Sequence, residues 1–443
     1  MAHCRDATSC VSTPRSVNPQ AGLSFEQAPP ILVPFRFFLS APVFGVLAAL
    51  ALLWHGTALF DSRWLPPALA LTHLMTLGFL GLAMLGAMFQ MLPVVAGAPI
   101  FKAEAVSLGV YGLLVAGVLA LVCGFLLVSP VLMRLALGLL GSGFALFIGA
   151  VAVSLKRAAA NPTSRGMRFA VLALAITATF GMVLASNYGW GWWLANRIQM
   201  TSIHLAWGLL GWVGLLVVSV SYQVVPMFQL TPAYPKLLSA WLPPGLFVLL
   251  LLWTAVTLGG METLAPLVGG AMALAFTLYA GVTLRLQTQR RRKVSDVTLL
   301  FWRYGMAVLL LLLALWLTGQ WVPGLSGWSG YPFLLGMLFI GGFVVSVVNG
   351  MLYKIVPFLI WFHLQSRLTG IAKVPNMKEI LPEKAMRRQM RLHFASVPLL
   401  ALAALKPPLI YPAALVFAVS MLLLEANLLF AFGVYRRNAK LVS

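Results

Sequence analysis

One stretch of sequence, His73–Pro93, recurs along the chain. It reads HLMTLGFLGLAMLGAMFQMLP: a histidine, an uncharged apolar run containing glycines, and a closing aromatic–Gln–Met–Leu–Pro. His204–Pro226, HLAWGLLGWVGLLVVSVSYQVVP, has the same order of features, with 22 residues from histidine to proline against 20 in the first copy. Gly336–Pro357 ends NGMLYKIVP and has no histidine at its start. The closing prolines are 133 and 131 residues apart (226 − 93 and 357 − 226), which indicates an internal repeat of three units.

The composition is that of an integral membrane protein. Apolar residues make up 61% of the chain and charged residues only 9%, which excludes an ordinary soluble domain. Apolar runs of about 20 residues recur along its length, as transmembrane helices require, and their continuity excludes the alternating strands of a membrane barrel. The three cysteines, Cys4, Cys10 and Cys123, form no disulfide or zinc pattern. The first thirty residues are polar, so we expect no cleavable signal peptide.

Twelve membrane spans are predicted in one transmembrane domain, residues 31–438, after a disordered tail at 1–30. A cytoplasmic loop at 364–391, expected to hold a short amphipathic helix, separates the tenth and eleventh spans. The predicted spans are 34–54, 67–93, 104–128, 131–155, 167–187, 201–226, 237–257, 263–286, 297–318, 332–358, 392–406 and 410–435.

The distribution of basic residues predicts the orientation. Twenty-six of the 30 Lys and Arg residues fall on the side of the termini and four on the other, which places both termini in the cytoplasm of an inner-membrane protein. The net charge of +21 therefore indicates topology and contact with anionic lipids. It does not indicate a nucleic-acid partner.

This topology predicts where the repeated features lie in the membrane. His73 and His204 fall at matching depth near the outer ends of the second and sixth spans, and the three prolines fall near the inner surface. Four spans per repeat, with equivalent helices at positions 2, 6 and 10, predict three four-helix arcs around a pseudo-threefold axis.

That plan resembles subunit I of the haem-copper oxidases, whose twelve helices form three arcs. The sequence is also similar to the NnrS-type membrane proteins, which are associated with haem, copper and resistance to nitric oxide. The most similar segments are PFRFFLSAPVFGVLAAL, residues 34–50, and HLMTLGF, residues 73–79. The resemblance implies an all-α fold of twelve transmembrane helices and a role in respiratory or nitric-oxide-stress metabolism. It also implies haem as cofactor, copper as a weaker candidate, and an electron donor or a small gas as partner.

The departures from the oxidases predict a protein that does not reduce oxygen. In that superfamily a histidine on span 2 ligates the low-spin haem and one on span 6 ligates copper, which are the places of His73 and His204. However, residues 237–257 and 332–358 contain none of the further histidine ligands of an oxidase, and Gly208 stands where its tyrosine would be. We therefore expect a non-oxidase relative, and the sequence assigns no catalytic residue.

His73 and His204 are the candidate haem or metal ligands. A histidine inside a membrane is costly and suggests function, although a hydrogen bond to a neighbouring helix is the simpler use. Arg63 and Arg197 precede them at the same interface and could pair with haem propionates or simply extend to the lipid head groups. One haem held by both histidines and two separate haems both remain open. Glycines after each histidine predict close helix packing or the approach of a flat macrocycle: Gly78, Gly81 and Gly86, and Gly208, Gly211 and Gly214.

Five polar residues near the inner half of the spans form a second candidate set: Gln90, Gln223, Asn349, Lys354 and Glu425. They could satisfy each other and the carbonyls that the prolines free, or line a proton or ion path. Glu425 needs a partner, and we expect an ion pair with Lys354.

Two further histidines, His363 and His393, flank the cytoplasmic loop and are expected to be solvated. The rival function is a small-solute or ion transporter, because internal repeats and polar groups within helices also suit a permease. An assembly or scaffold protein is the third option.

Overall fold

The computed structural model describes residues 27–261, 263–292, 294–368 and 373–441, and these residues contain helices and loops but no strand. Most of the predicted disordered tail lies outside them. We number the twelve long helices of this part of the chain in order. They are α1 Leu32–His55, α2 Pro66–Ala96, α3 Ala103–Leu126, α4 Pro130–Lys156, α5 Pro162–Trp190, α6 Arg197–Gln229, α7 Lys236–Leu258, α8 Ala265–Thr288, α9 Val297–Trp321, α10 Tyr331–Leu368, α11 Glu383–Leu405 and α12 Ile410–Ala439.

Eleven of these helices are long and apolar enough to cross a membrane, so the prediction of an all-α membrane protein is confirmed. The exception is α11, whose first turns carry the charged sequence EKAMRRQMR, residues 383–391. This helix begins nine residues before the predicted eleventh span. The loop before it is accordingly shorter than predicted, and its described part holds a single helical turn, Met377–Ile380, in place of an amphipathic helix.

Local sequence signals begin and end the helices. Asn161 accepts a hydrogen bond from the backbone N–H of Ser164 at 2.8 Å and is followed by Pro162, so α5 starts with a filled cap. Asp296 caps α9 in the same way, through the N–H of Leu299 at 2.9 Å. Gly97 ends α2 in a left-handed conformation, with φ 60°, that other residues rarely adopt. These signals keep the connections short, so neighbouring helices pack side by side.

Successive helices pack against each other, and α12 packs against α1, so the chain closes on itself. Within this bundle α2 is the most enclosed helix: 94% of its apolar window is buried, against 22% for α5. Leucines exposed on α3, α8 and α12, among them Leu119, Leu278 and Leu422, form the apolar outer surface that a bilayer would cover.

The three repeated helices, α2, α6 and α10, share a backbone irregularity. Each contains a π-helical segment, at Leu74–Gly81, Trp207–Gly214 and Leu338–Val344. Their first residues are 133 and 131 positions apart (207 − 74 and 338 − 207), the same intervals as the closing prolines. The π-helical segments thus follow the same interval as the sequence repeat, and segments of this kind are rare and frequent at functional sites.

Several of the repeated glycines permit close helix packing. A Cβ at Gly78 would lie 2.4 Å from the ring of Phe44 on α1, and one at Gly214 would lie 2.8 Å from Phe276 on α8. A side chain at either position would therefore displace a neighbouring helix. Helix packing accounts for these glycines.

Candidate functional site

The two repeated histidines lie close together, with their rings nearly parallel. The ring centres of His73 on α2 and His204 on α6 are 6.4 Å apart, and their planes are inclined by only 22°. Each precedes the π-helical segment of its helix, at the end predicted to be outermost. The predicted pair of ligands is thus brought together at one place.

Both imidazoles are held by backbone carbonyls through Nδ1. His73 Nδ1 lies 2.7 Å from the carbonyl oxygen of Leu69, one turn earlier in α2, and His204 Nδ1 lies 3.0 Å from that of Thr177 on α5. A carbonyl can only accept, so Nδ1 carries the proton in each ring and Nε2 keeps its lone pair. Within the described part of the chain neither Nε2 has a hydrogen-bond partner. This is the arrangement that orients a histidine for metal ligation.

The spacing of the rings suits two imidazoles on opposite sides of one metal ion. A metal–imidazole bond is about 2.0 to 2.1 Å long, and the ring centre lies about 1.1 Å beyond the nitrogen, so opposed ligands have centres roughly 6.3 Å apart. The observed 6.4 Å agrees with this value. The same distance and the small angle between the planes also fit an offset stack of the two imidazoles. Groups of three or more His, Cys, Asp or Glu side chains able to hold a metal do not occur among the described residues.

The histidines line a cavity of about 440 Å³, within the usual range of small-molecule sites. Its wall is almost entirely apolar and comes from α3, α4 and α5 on one hand and from α1 and α10 on the other. Phe125 on α3 packs beside His73, with ring centres 5.6 Å apart. The cavity therefore extends beyond the space between α2 and α6, as a flat ligand between the two rings would require.

Arg63 and Arg197 line the same cavity, and both are exposed. Partial desolvation lowers the pKa of the Arg63 guanidinium, whose Cζ lies 4.6 Å from the centre of the Trp64 ring. The cavity thus combines an apolar interior with two cations at its edge, as predicted for groups that could pair with carboxylates.

Gly181 on α5 makes room for His204. A Cβ at this position would lie 2.9 Å from His204 Cε1, closer than real Cβ contacts come. The sequence analysis missed this residue, since a single glycine within an apolar helix has many uses.

No hydrogen bond or ion pair joins the five inner polar residues to one another in the described part of the chain. Gln90 and Asn349 are buried, and neither the Oε1 of Gln90 nor either amide atom of Asn349 has a partner among the described residues. Gln223 is half-buried. The expected Glu425–Lys354 ion pair does not form: Lys354 Nζ lies 3.8 Å from Asp296, and the buried Oε2 of Glu425 has no partner in the described structure. The cause is that Asp296, at the start of α9, lies beside Lys354 on α10.

His393 is fully buried, contrary to the expectation of solvation. Its Nε2 lies 2.8 Å from the Oγ of Ser346 on α10, and its ring packs against Phe301. Because α11 begins earlier than predicted, His393 lies inside the bundle rather than at a loop. A polar stripe at helical spacing, Gln389, His393 and Ser396, was the signal available in the sequence. The other loop histidine, His363, is half-buried, and its Nε2 lies 3.2 Å from the carbonyl of Pro29.

No protein-family model and no curated protein matches this chain. The site therefore has to be interpreted from its own geometry.

Proposed function

We propose that the protein is a membrane haem protein in which His73 and His204 would together hold one haem iron. One observation carries the proposal: two imidazoles, each held through Nδ1 by a carbonyl, line one cavity with their ring centres 6.4 Å apart. Of the two arrangements that the sequence leaves open, this spacing favours a single shared iron.

The cavity supports haem over a bare ion. A lone metal ion needs only the space between two nitrogens, whereas a macrocycle needs a larger apolar space, and apolar side chains of α1, α3, α4, α5 and α10 line this cavity of about 440 Å³. Arg63 and Arg197 at its edge could each pair with a propionate. The apolar walls would exclude water from the ligands and so tune the reduction potential of a bound haem.

The fold is consistent with a non-oxidase relative of haem-copper oxidase subunit I or of the NnrS-type proteins. We take α11 as the eleventh of twelve spans, place both termini in the cytoplasm, and arrange the spans in three arcs, in line with the basic-residue distribution and the helix contacts. An oxidase would use these two positions for different metal centres. Their closeness here instead supports one centre that both histidines share.

The ligand set favours electron transfer. If both imidazoles hold the iron, a small gas would have to displace one of the two histidines before it could bind there. We therefore place the protein in respiratory or nitric-oxide-stress metabolism as a carrier that exchanges electrons with a donor.

Absorption spectroscopy of the full chain purified from a haem-replete host tests the proposal. We expect a Soret band with the signature of two nitrogen ligands, which His73→Ala and His204→Ala should each abolish or convert to that of one ligand. His55→Ala, a half-buried histidine outside the cavity, is the control and should leave the spectrum unchanged.

Metal analysis of the purified protein distinguishes haem iron from copper, the alternative metal. If the protein contains about one equivalent of copper and shows no Soret band, we would conclude that the two histidines hold a copper ion and not haem. Protein with neither metal, or a wild-type spectrum in both histidine variants, would overturn the proposed ligation.

A further inference from the structure

A second, smaller cavity lies where the three repeated helices meet. Its volume is about 80 Å³. The repeated helices α2, α6 and α10 each contribute four or five side chains to its wall, and α1 and α9 contribute one each. The lining residues are Phe38; Ala83, Met84, Ala87, Met88 and Met91; Leu216, Val217, Val220 and Val224; Trp302; and Val347, Val348, Met351, Leu352 and Ile355.

These walls offer a guest almost no hydrogen bonds. Apart from the methionine sulfurs, the one polar side-chain atom among them is Nε1 of Trp302, a residue only 1% exposed, and that N–H has no partner in the described structure. A water needs two to four polar partners, so a cavity of this kind stays dry. Thioethers are soft and polarizable, so Met84, Met88 and Met351 would favour a polarizable apolar guest through dispersion.

The volume limits the size of the guest. An engineered apolar cavity of about 150 Å³ holds benzene or xenon, and this one has about half that volume. It can therefore hold a noble-gas atom or a diatomic molecule, and it is too small for an aromatic ring.

The small cavity is adjacent to the histidine cavity. On α2, Leu85 lines the larger cavity, and Met84 and Met88 line the smaller one. On α6, Val213 lines the larger cavity and Leu216 lines the smaller one. Three residues of helix rise about 4.5 Å, so less than one helical turn separates the two linings. An apolar molecule could pass between them by side-chain motion alone.

We propose that this cavity is a binding site for a small apolar gas, with dioxygen and nitric oxide as the diatomic members of that class. The inference does not depend on the metal, because the walls of the cavity contain none of the proposed ligands. In the protein this site would hold a gas molecule within one helical turn of the lining of the histidine cavity, and ten to twelve residues along α2 and α6 from the histidines themselves (83 − 73 and 216 − 204).

Xenon provides the test. Crystals of the full-length protein pressurised with xenon should show an anomalous peak between α2, α6 and α10, and benzene soaked into the same crystals should leave that position empty. Ala87→Leu places three more carbon atoms at the wall and should abolish the peak. Ala426→Leu, at an exposed position of α12, is the matched control and should retain it.

Two outcomes would overturn the proposal. One is the absence of a xenon peak at this position in the wild type. The other is a peak of undiminished height in an Ala87→Leu protein whose crystals show the leucine in place. If Ala87→Leu fails to fold, Val217→Ala, which enlarges the same cavity, should raise xenon occupancy, and unchanged or lower occupancy would count against the site.

Discussion

Gly181→Ala should weaken metal or haem binding without removing either ligand. The new methyl group would lie 2.9 Å from His204 Cε1, whereas ordinary contacts begin at 3.4 Å, so the imidazole must retreat by about 0.5 Å (3.4 − 2.9). Cε1 is bonded to both ring nitrogens. The same displacement therefore lengthens the 3.0 Å bond from Nδ1 to Thr177 and moves the ligating Nε2.

The expected loss of affinity can be judged from the weakened hydrogen bond between His204 Nδ1 and the carbonyl of Thr177. Loss of the group that orients a ligating histidine lowers metal affinity by about 10- to 100-fold, equivalent to about 1.4 to 2.7 kcal/mol. A shift of about 0.5 Å is also roughly the limit within which a functional site must be held. Protein stability should change much less, because only the end of one side chain has to move.

Titration of the apoprotein with haem in detergent, followed at the Soret band, measures this affinity, and thermal unfolding verifies the fold. Gly149→Ala on α4 is the matched control, because a Cβ there meets no atom within 4 Å. Wild-type haem affinity in Gly181→Ala, together with loss of affinity in His204→Ala, would refute the argument that Gly181 positions this ring.

Three further predictions concern the polar residues. Asn349→Leu should raise the free energy of unfolding by about 1–3 kcal/mol, because both amide atoms lack partners in the described structure; a lower melting temperature would instead indicate an internal ligand or water. A double-mutant cycle should give a coupling of at most about 1 kcal/mol between Lys354 and Asp296 and none between Lys354 and Glu425, and a coupling to Glu425 would contradict the structure. Burial raises the pKa of Tyr234, in the loop after α6, to about 12. The folded state then keeps a proton that the unfolded state loses near pH 10, so stability should fall by up to about 3 kcal/mol between pH 10 and 12 in thermal melts, and less in Tyr234→Phe.

The helices and the repeat could be predicted from sequence because both depend on local signals. Long apolar runs specify transmembrane helices, and three prolines at nearly equal intervals specify the repeat, whose intervals the π-helical segments share. The start of α11 could not be found in this way. Its charged first turns, residues 383–391, read as loop, although the same residues form a regular helix.

Which side chains meet depended on tertiary packing. The sequence singles out His73 and His204 as equivalent, but their close arrangement depends on the carbonyl of Thr177 and the space at Gly181, both on α5. Similarly, Lys354 and Glu425 are at plausible depths for a pair, yet depth alone does not say which residues adjoin them. Lys354 instead pairs with the carboxylate of Asp296, which caps the start of α9. From the sequence alone, Asp296 would be identified only as a helix cap.

The proposed function would account for the absence of a third histidine. Met337 lies 20 residues before Pro357, as His73 lies 20 before Pro93, and it lines the same cavity. If His73 and His204 together hold one haem iron, a third imidazole at the position of Met337 would not be needed to hold it. It would also place a polar ring in an apolar wall without a partner, which is costly inside a membrane. Under the proposed function, an apolar side chain on α10 is therefore what the site requires, and the missing histidine need not be the remnant of an oxidase centre.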